Sequence, residues 1–182
     1  SYIMKSENIE FLKKKINSYP DFPKPGIDFK DIFAIFGDAE ALAKLVETIL
    51  WHFKETNCEF DAFVGLEARG FVIGPILSYK LGKSFIPIRK VGKLPGSVSQ
   101  ELFTLEYGQA TFEIQTSCLK PGSKVIVVDD LLATGGSMAA ACKLLHSMDV
   151  QIVQCFSVIE LLSLKGRDAL PQSVPYYSLI QY

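Results

Sequence analysis

The chain has 182 residues, with 19 basic and 20 acidic side chains and a formal net charge of −1. That length predicts one domain with a full core of its own, and the balanced charge lacks the cationic surplus of a general nucleic-acid binder. The longest stretch without Asp, Glu, Lys or Arg, Ala169–Tyr182, holds two prolines and falls short of the roughly 18 apolar residues of a membrane span, so no membrane association is expected.

Lys5, Glu7 and Glu10 interrupt the first residues before an apolar run can form, so no secretory signal is expected. Cys58, Cys118, Cys142 and Cys155 are scattered without a C-x-x-C pair. They are expected to be reduced thiols packed as small hydrophobes. With only His52 and His146 available, a metal site built on histidines is not expected. These features together predict a soluble cytoplasmic protein.

In chain order, Ser6–Asn17 is expected to be a helix with Ser6 as its cap and Ile9, Leu12 and Ile16 on one face. Tyr19–Gly26 (YPDFPKPG) is expected to be irregular, because three prolines and a glycine break any ladder. A second helix is capped by Asp38, with Leu42, Leu45, Val46, Ile49, Leu50 and Phe53 in one buried stripe. Strands are then expected at Phe60–Gly65, Ser84–Ile88, Lys124–Val128, Gln151–Ile159 and Tyr176–Ile180, with helices at Phe71–Leu81 and Ser137–Met148. The stretch Lys90–Gly108 is long and irregular, and a β-hairpin or mobile flap would fit it. Strands interleaved with helices predict an α/β fold, a parallel sheet flanked by helices on both faces.

The segment Lys124–Met138 (KVIVVDDLLATGGSM) carries the strongest chemical signal. An apolar strand runs into two acids, then a loop of small residues, then a helix. In a parallel sheet, ligands bind at the carboxyl ends of strands. There Thr134, Gly135, Gly136 and Ser137 would offer backbone N–H groups and two hydroxyls at a helix N-terminus, which suits a phosphate. Asp129 and Asp130 stand nearby to accept from sugar hydroxyls or to help hold hydrated magnesium. A triphosphatase reading fails for want of a G-x-x-x-x-G-K-[ST] loop, and no G-x-G-x-x-G is present either. A plain strand-to-helix turn would not need the whole sequence D-D-x-x-A-T-G-G-S.

Val127–Met138 resembles the phosphoribosyl pyrophosphate (PRPP) motif of the type I phosphoribosyltransferases. Other segments narrow the resemblance to the adenine phosphoribosyltransferase family: Tyr19–Gly26, Gly65–Phe71 (GLEARGF), Ile88–Gly96 (IRKVGKLPG), Leu105–Gly108 (LEYG) and Tyr177–Tyr182 (YSLIQY). They follow the family's order from about Tyr19 to the end. The resemblance implies a type I phosphoribosyltransferase-like sheet in one domain spanning 1–182, with an N-terminal helix and hood over about 1–36 and a flap over about 90–108.

It also implies a reaction: adenine displaces pyrophosphate from C1′ of PRPP, with Mg²⁺, to give AMP in purine salvage. Negative charge grows on the departing group, so cations must face it. By resemblance, Glu67, Ala68 and Arg69 form the pyrophosphate loop, Arg69 being catalytic, with Arg89, Lys93 and Tyr107 contributing from the flap and its surroundings. Glu106 is the implied acid/base for a ring proton. Asp129, Asp130, Ala133, Thr134, Gly135, Gly136 and Ser137 are implied to hold ribose and phosphate. Ile27, Asp28, Phe29 and Lys30 would form the adenine hood, with Leu131 covering the opposite face. Mg²⁺ would be held mainly by substrate and water, without a direct protein ligand. The family also implies a homodimer.

Two positions depart from the family's usual pattern. Asp28 replaces an apolar residue, and Lys30 stands where arginine is common. Pointing inward, Asp28 would accept from an exocyclic amino group; pointing outward, it would do nothing. A rival from another class is a PRPP-sensing regulator on the same fold, but such regulators carry a separate DNA-binding module. Within the enzyme class the rival is another base, a 6-oxopurine.

Overall fold

The structure, a computed structural model, describes residues 2–105 and 108–182. The chain divides into two units, Ser1–Asn57 and Cys58–Tyr182.

In the first unit, helix α1 (Tyr2–Lys15) precedes a hairpin of β1 (Asn17–Pro20) and β2 (Asp28–Asp31), a short α2 (Phe33–Phe36) and α3 (Ala39–Thr56). α3 follows from its sequence. The Asp38 carboxylate accepts from the backbone N–H groups of Glu40 and Ala41, filling the cap. Ala41, Leu45, Ile49 and Phe53 then recur at helical spacing and are buried. Burying such a leucine or phenylalanine contributes about 1.5–3 kcal/mol each.

α1 differs from the expectation. It begins at Tyr2 and ends at Lys15, so Ser6 lies inside it and does not cap it. Lys13, Lys14 and Lys15 occupy its last turn, where cations favour the helix dipole. Lys15 Nζ also lies 2.6 Å from Asp38 Oδ2, tying the end of α1 to the start of α3. The segment expected to be wholly irregular is also corrected, since Tyr19 and Pro20 pair with Phe29 and Asp28. Proline is tolerated there because it closes a strand in a two-stranded ribbon.

The second unit is a seven-stranded sheet. Its elements are β3 (Ala62–Leu66), α4 (Gly70–Leu81), β4 (Ser84–Lys90), β5 (Val98–Leu105), β6 (Gly108–Gln115), β7 (Lys124–Leu132), α5 (Gly136–Ser147), β8 (Gln151–Glu160) and β9 (Tyr176–Gln181). The order is β5-β6-β4-β3-β7-β8-β9. The run from β4 to β9 is parallel, and β6 and β5 extend it antiparallel beyond β4. The stretch expected to be a hairpin or flap thus contains β5, whose partner β6 the periodicity does not announce.

Val64 pairs with Ile86 on one side and Val127 on the other, so β3 is fully enclosed. Its five residues are all buried, as an interior parallel strand requires. Ala62, Val64, Val125 and Val127 join Ala141, Leu144 and Leu145 of α5 in one core. Gly65 and Gly74 instead admit the Phe85 ring, which a Cβ on either would meet at 2.6 or 2.3 Å. From β3 the chain crosses through α4 to β4, and from β7 it crosses the opposite way through α5 to β8. Right-handed connections in opposite directions place α4 and α5 on opposite faces of the sheet.

Candidate active site

Because the chain leaves β3 and β7 in opposite directions, the sheet has a crevice beyond their carboxyl ends, where open α/β sheets bind ligands. Two loops meet there. After β3 come Glu67, Ala68 and Arg69, the first two joined by a cis peptide bond, and then α4. After β7 come 133–135 and α5. The two approach closely, since a Cβ on Gly70 would lie 2.9 Å from the Val128 carbonyl oxygen and 3.6 Å from Asp129 Oδ1.

β7 runs further than expected. It continues through Asp129 and Asp130 to Leu132, so the two acids belong to the strand and point to opposite sides of it. Asp130 is 3% exposed, and its Oδ2 lies 2.6 Å from Arg69 Nε. Asp129 Oδ1 accepts the Asp130 backbone N–H at 2.8 Å. Burial holds the Asp129 carboxyl well above the usual range, and the neighbouring Asp130 charge pushes it further. Burial also raises Asp130, against the pull of the Arg69 guanidinium.

The loop that follows is shaped by one glycine. Gly135 adopts φ +84°, which favours glycine, and its carbonyl accepts the first in-turn bond of α5, from Ala139 N–H at 2.9 Å. Gly136 and Ser137 begin the helix, so their N–H groups point out of its N-terminus into the crevice mouth. The 12-residue helix brings the positive end of its dipole to the same place. Ala133, Thr134, Gly135, Gly136 and Ser137 are therefore brought together with Asp129, Asp130 and Arg69.

Arg89 takes a different position from a free phosphate-binding cation. Its Nε and Nη2 donate to Glu67 Oε2 and Oε1 at 3.2 and 2.9 Å, and Nη1 donates to the Lys93 carbonyl at 3.4 Å. Glu67 is held below the usual carboxylate range chiefly by that guanidinium. Arg89 thus joins the Glu67 loop to the loop carrying Lys93. Lys93 itself is exposed. The residue that shapes its loop is Glu113, 2% exposed on β6. Its Oε1 accepts the backbone N–H groups of Lys93 and Leu94, each at 3.1 Å, and its Oε2 accepts from Gln100 Nε2 at 3.1 Å. Nothing in the local sequence marks Glu113; the alternation of β6 puts it on the face opposite the core residues Phe112 and Ile114, where a charged side chain reads as solvated.

Glu106 and Tyr107 lie outside the described residues. Leu131 is half-buried near the end of β7. The proposed hood residues belong to the first unit. Ile27 is exposed, and Phe29 is half-buried with its ring edge-on to Phe22 at 5.3 Å. The two departures turn out to be coupled. Asp28 accepts from Ser18 Oγ, and its Oδ2 lies 3.0 Å from Lys30 Nζ, which also donates to Ser18 at 3.0 Å. The Ser18 hydroxyl, then the Lys30 ammonium, hold the Asp28 carboxyl below its ordinary range.

Among the described residues, no helix is long and apolar enough to cross a membrane. The profile of the family described as "Phosphoribosyl transferase domain" matches residues 35–180. Adenine phosphoribosyltransferase of Mus musculus is 44% identical over 180 residues, 98% of this chain and 99% of that protein. Among solved structures, adenine phosphoribosyltransferase of Saccharomyces cerevisiae superposes with a TM-score of 0.92 at 40% identity, covering 96% of this chain and 99% of the other. That protein was crystallised with an imino-altritol bisphosphate and adenine. The Giardia lamblia enzyme, complexed with 9-deazaadenine, gives a TM-score of 0.89 at 35% identity, covering 96% and 97%. The crevice, its two loops and these likenesses lead to one conclusion: this chain belongs to the phosphoribosyltransferases and, within them, to the adenine phosphoribosyltransferase family.

Proposed function

We propose that the crevice beyond β3 and β7 binds PRPP and that the chain joins its ribose 5-phosphate to adenine, releasing pyrophosphate and AMP. The observation that carries this reading is the meeting of the Glu67–Arg69 and 133–137 loops, with Arg69 Nε 2.6 Å from Asp130 Oδ2. One loop offers a cation to a leaving anion, and the other offers N–H groups to a phosphate.

In this scheme the N–H groups of 134–137 and the hydroxyls of Thr134 and Ser137 hold the 5-phosphate. Asp129 and Asp130 accept from the ribose hydroxyls. The C1′–O bond breaks as adenine N9 approaches, and the electron pair departs with pyrophosphate. Arg69 faces the charge that grows there, with Lys93 beside it and Arg89 holding both loops in place. Glu106 handles the ring proton that adenine releases, and Tyr107 and the β5–β6 hairpin exclude water from the activated sugar. The family pattern assigns adenine binding to Ile27, Phe29, Lys30 and Leu131; Asp28 supports Lys30. The family pattern reads residues 1–182 as one phosphoribosyltransferase domain.

Asp129 and Asp130 suit a hydrated magnesium ion arriving with PRPP, because their carboxyl oxygens can accept from its bound water and a cation nearby would favour their charged forms. Mg²⁺ would neutralise pyrophosphate oxygens and keep most of its water. The described cysteines are unbridged thiols, which is in line with a cytoplasmic location. The family pattern further suggests a homodimer.

The test is a mass-resolved assay of the purified protein with PRPP, Mg²⁺ and an equimolar mixture of purine and pyrimidine bases. AMP is the expected dominant product. A different nucleotide would move specificity away from adenine, and no nucleotide would end the transferase reading.

A further inference from the structure

Against the loop 133–136 lies a turn that no local motif singles out. The chain leaves β8 at Glu160 and makes two short 3₁₀ turns, Leu162–Leu164 and Gly166–Ala169. The second presses backbone to backbone on the phosphate loop. A Cβ on Gly135 would lie 2.3 Å from the Gly166 carbonyl oxygen, and a Cβ on Gly166 would lie 2.4 Å from the Ala133 carbonyl oxygen. Leu161 N–H also donates to the Leu132 carbonyl at 3.0 Å. The loop therefore has a floor, and the position of that floor sets where the N–H groups of 135–137 point.

One ion pair holds the floor. Arg167, next to Gly166, donates through Nε to Glu160 Oε1 at 2.6 Å and through Nη2 to Oε2 at 2.8 Å. Glu160 is 3% exposed, and Ser178 Oγ of β9 donates to its Oε2 at 2.7 Å. Gln181 Nε2 donates in turn to Ser178 Oγ at 2.9 Å. The guanidinium also lies over the Tyr176 ring, 4.7 Å from its centroid. A planar fork on a carboxylate, stacked on an aromatic face, is a geometry lysine cannot reproduce in full. The carboxylate is anchored at the end of one strand and to its neighbour, so the turn cannot slide without breaking the pair.

We propose that Glu160 and Arg167 are positioning residues for the substrate's phosphate: their ion pair clamps the Gly166–Ala169 turn under residues 133–136 and fixes the N–H cradle without touching substrate. The inference rests on the reading of that loop as the phosphate site. A clamp of this kind acts on one substrate. Removing it loosens the cradle for ribose 5-phosphate and PRPP, while adenine, held elsewhere, is little affected.

The experiment measures ribose 5-phosphate affinity by calorimetry, and the KM values for PRPP and adenine, in wild type, Arg167→Ala, Arg167→Lys and the double variant Glu160→Gln/Arg167→Gln. The double variant removes both charges together, so it carries the test if Arg167→Ala does not fold. Expected is a loss of about tenfold or more in ribose 5-phosphate affinity and a matching rise in the PRPP KM, with the adenine KM within about twofold and partial recovery in Arg167→Lys. Equal changes in both KM values, or unchanged ribose 5-phosphate affinity in a folded variant, would overturn the clamp. A wild type that binds no ribose 5-phosphate would overturn the phosphate-loop assignment, and the clamp with it.

Discussion

Arg69 and Asp130 form an ion pair across the carboxyl ends of two neighbouring parallel strands, Nε to Oδ2 at 2.6 Å. The cation assigned to the departing pyrophosphate thus rests on the carboxylate assigned to the sugar. Asp130 is buried, and about a third of the Arg69 side chain is exposed. Breaking a fully buried pair by removing one partner costs about 3–5 kcal/mol, and the cost is smaller where solvent reaches one side. Arg69→Ala should therefore lower thermal stability at neutral pH. It should also lower kcat/KM by about 10²–10³, as losing one transition-state donor does. An unchanged kcat/KM would remove Arg69 from pyrophosphate handling.

Asp129 gives a pH signature of opposite sign to the usual carboxylate. Its folded-state pKa is raised, chiefly by burial, so the folded protein holds a proton that the unfolded chain gives up. Stability is then fully present below the ordinary value of about 3.8 and is lost as pH rises through the folded value. Asp129→Asn should melt higher than wild type at alkaline pH, and the gap should close on acidification. In the same variant PRPP should bind more weakly. A melting difference independent of pH would contradict the burial of this charge.

Gly135→Ala is expected to damage the cradle directly. The new methyl would meet the Gly166 carbonyl oxygen at 2.3 Å, on a backbone with φ +84°. The strained φ alone costs about 1–2 kcal/mol, and the clash adds to it. PRPP KM should rise and the melting temperature should fall together. Wild-type values for both would mean that the 166–169 turn yields freely.

Glu106→Gln tests the acid/base role on a residue outside the described ones. It should retain PRPP binding and lose turnover by about 10²–10⁴. Near-normal turnover would assign the ring proton elsewhere.

Asp28→Val should leave kcat/KM for AMP formation within about tenfold, because the carboxylate is engaged with Ser18 and Lys30 on its own hairpin. A much larger loss confined to adenine would give Asp28 a direct part in reading the base.

Much of this protein was legible along the chain because the relevant physics is local. Asp38 followed by Leu45, Ile49 and Phe53 specifies a capped, one-sided helix within one element. The run from Lys124 to Met138 specifies strand, acids, glycine loop and helix without a break, so the phosphate cradle could be drawn from fifteen consecutive residues. The resemblance to a family rests on equally contiguous motifs.

Only tertiary structure decided the rest. Arg69 meets Asp130 because β3 and β7 pair in parallel, although the two residues are far apart in sequence. Glu113 reaches the Lys93 loop across a hairpin, and Glu160 reaches Arg167 around a turn. Lys30 and Asp28 become partners through Ser18 on the facing strand. Apart from Asp28 and Lys30, which stand two apart on one strand face, none of these contacts leaves a period or a spacing in the sequence. A charged side chain reads as solvated surface until strand pairing and burial remove its water and supply a partner. The chain therefore announced which chemistry it carries, and strand order determined which charges hold that chemistry in place.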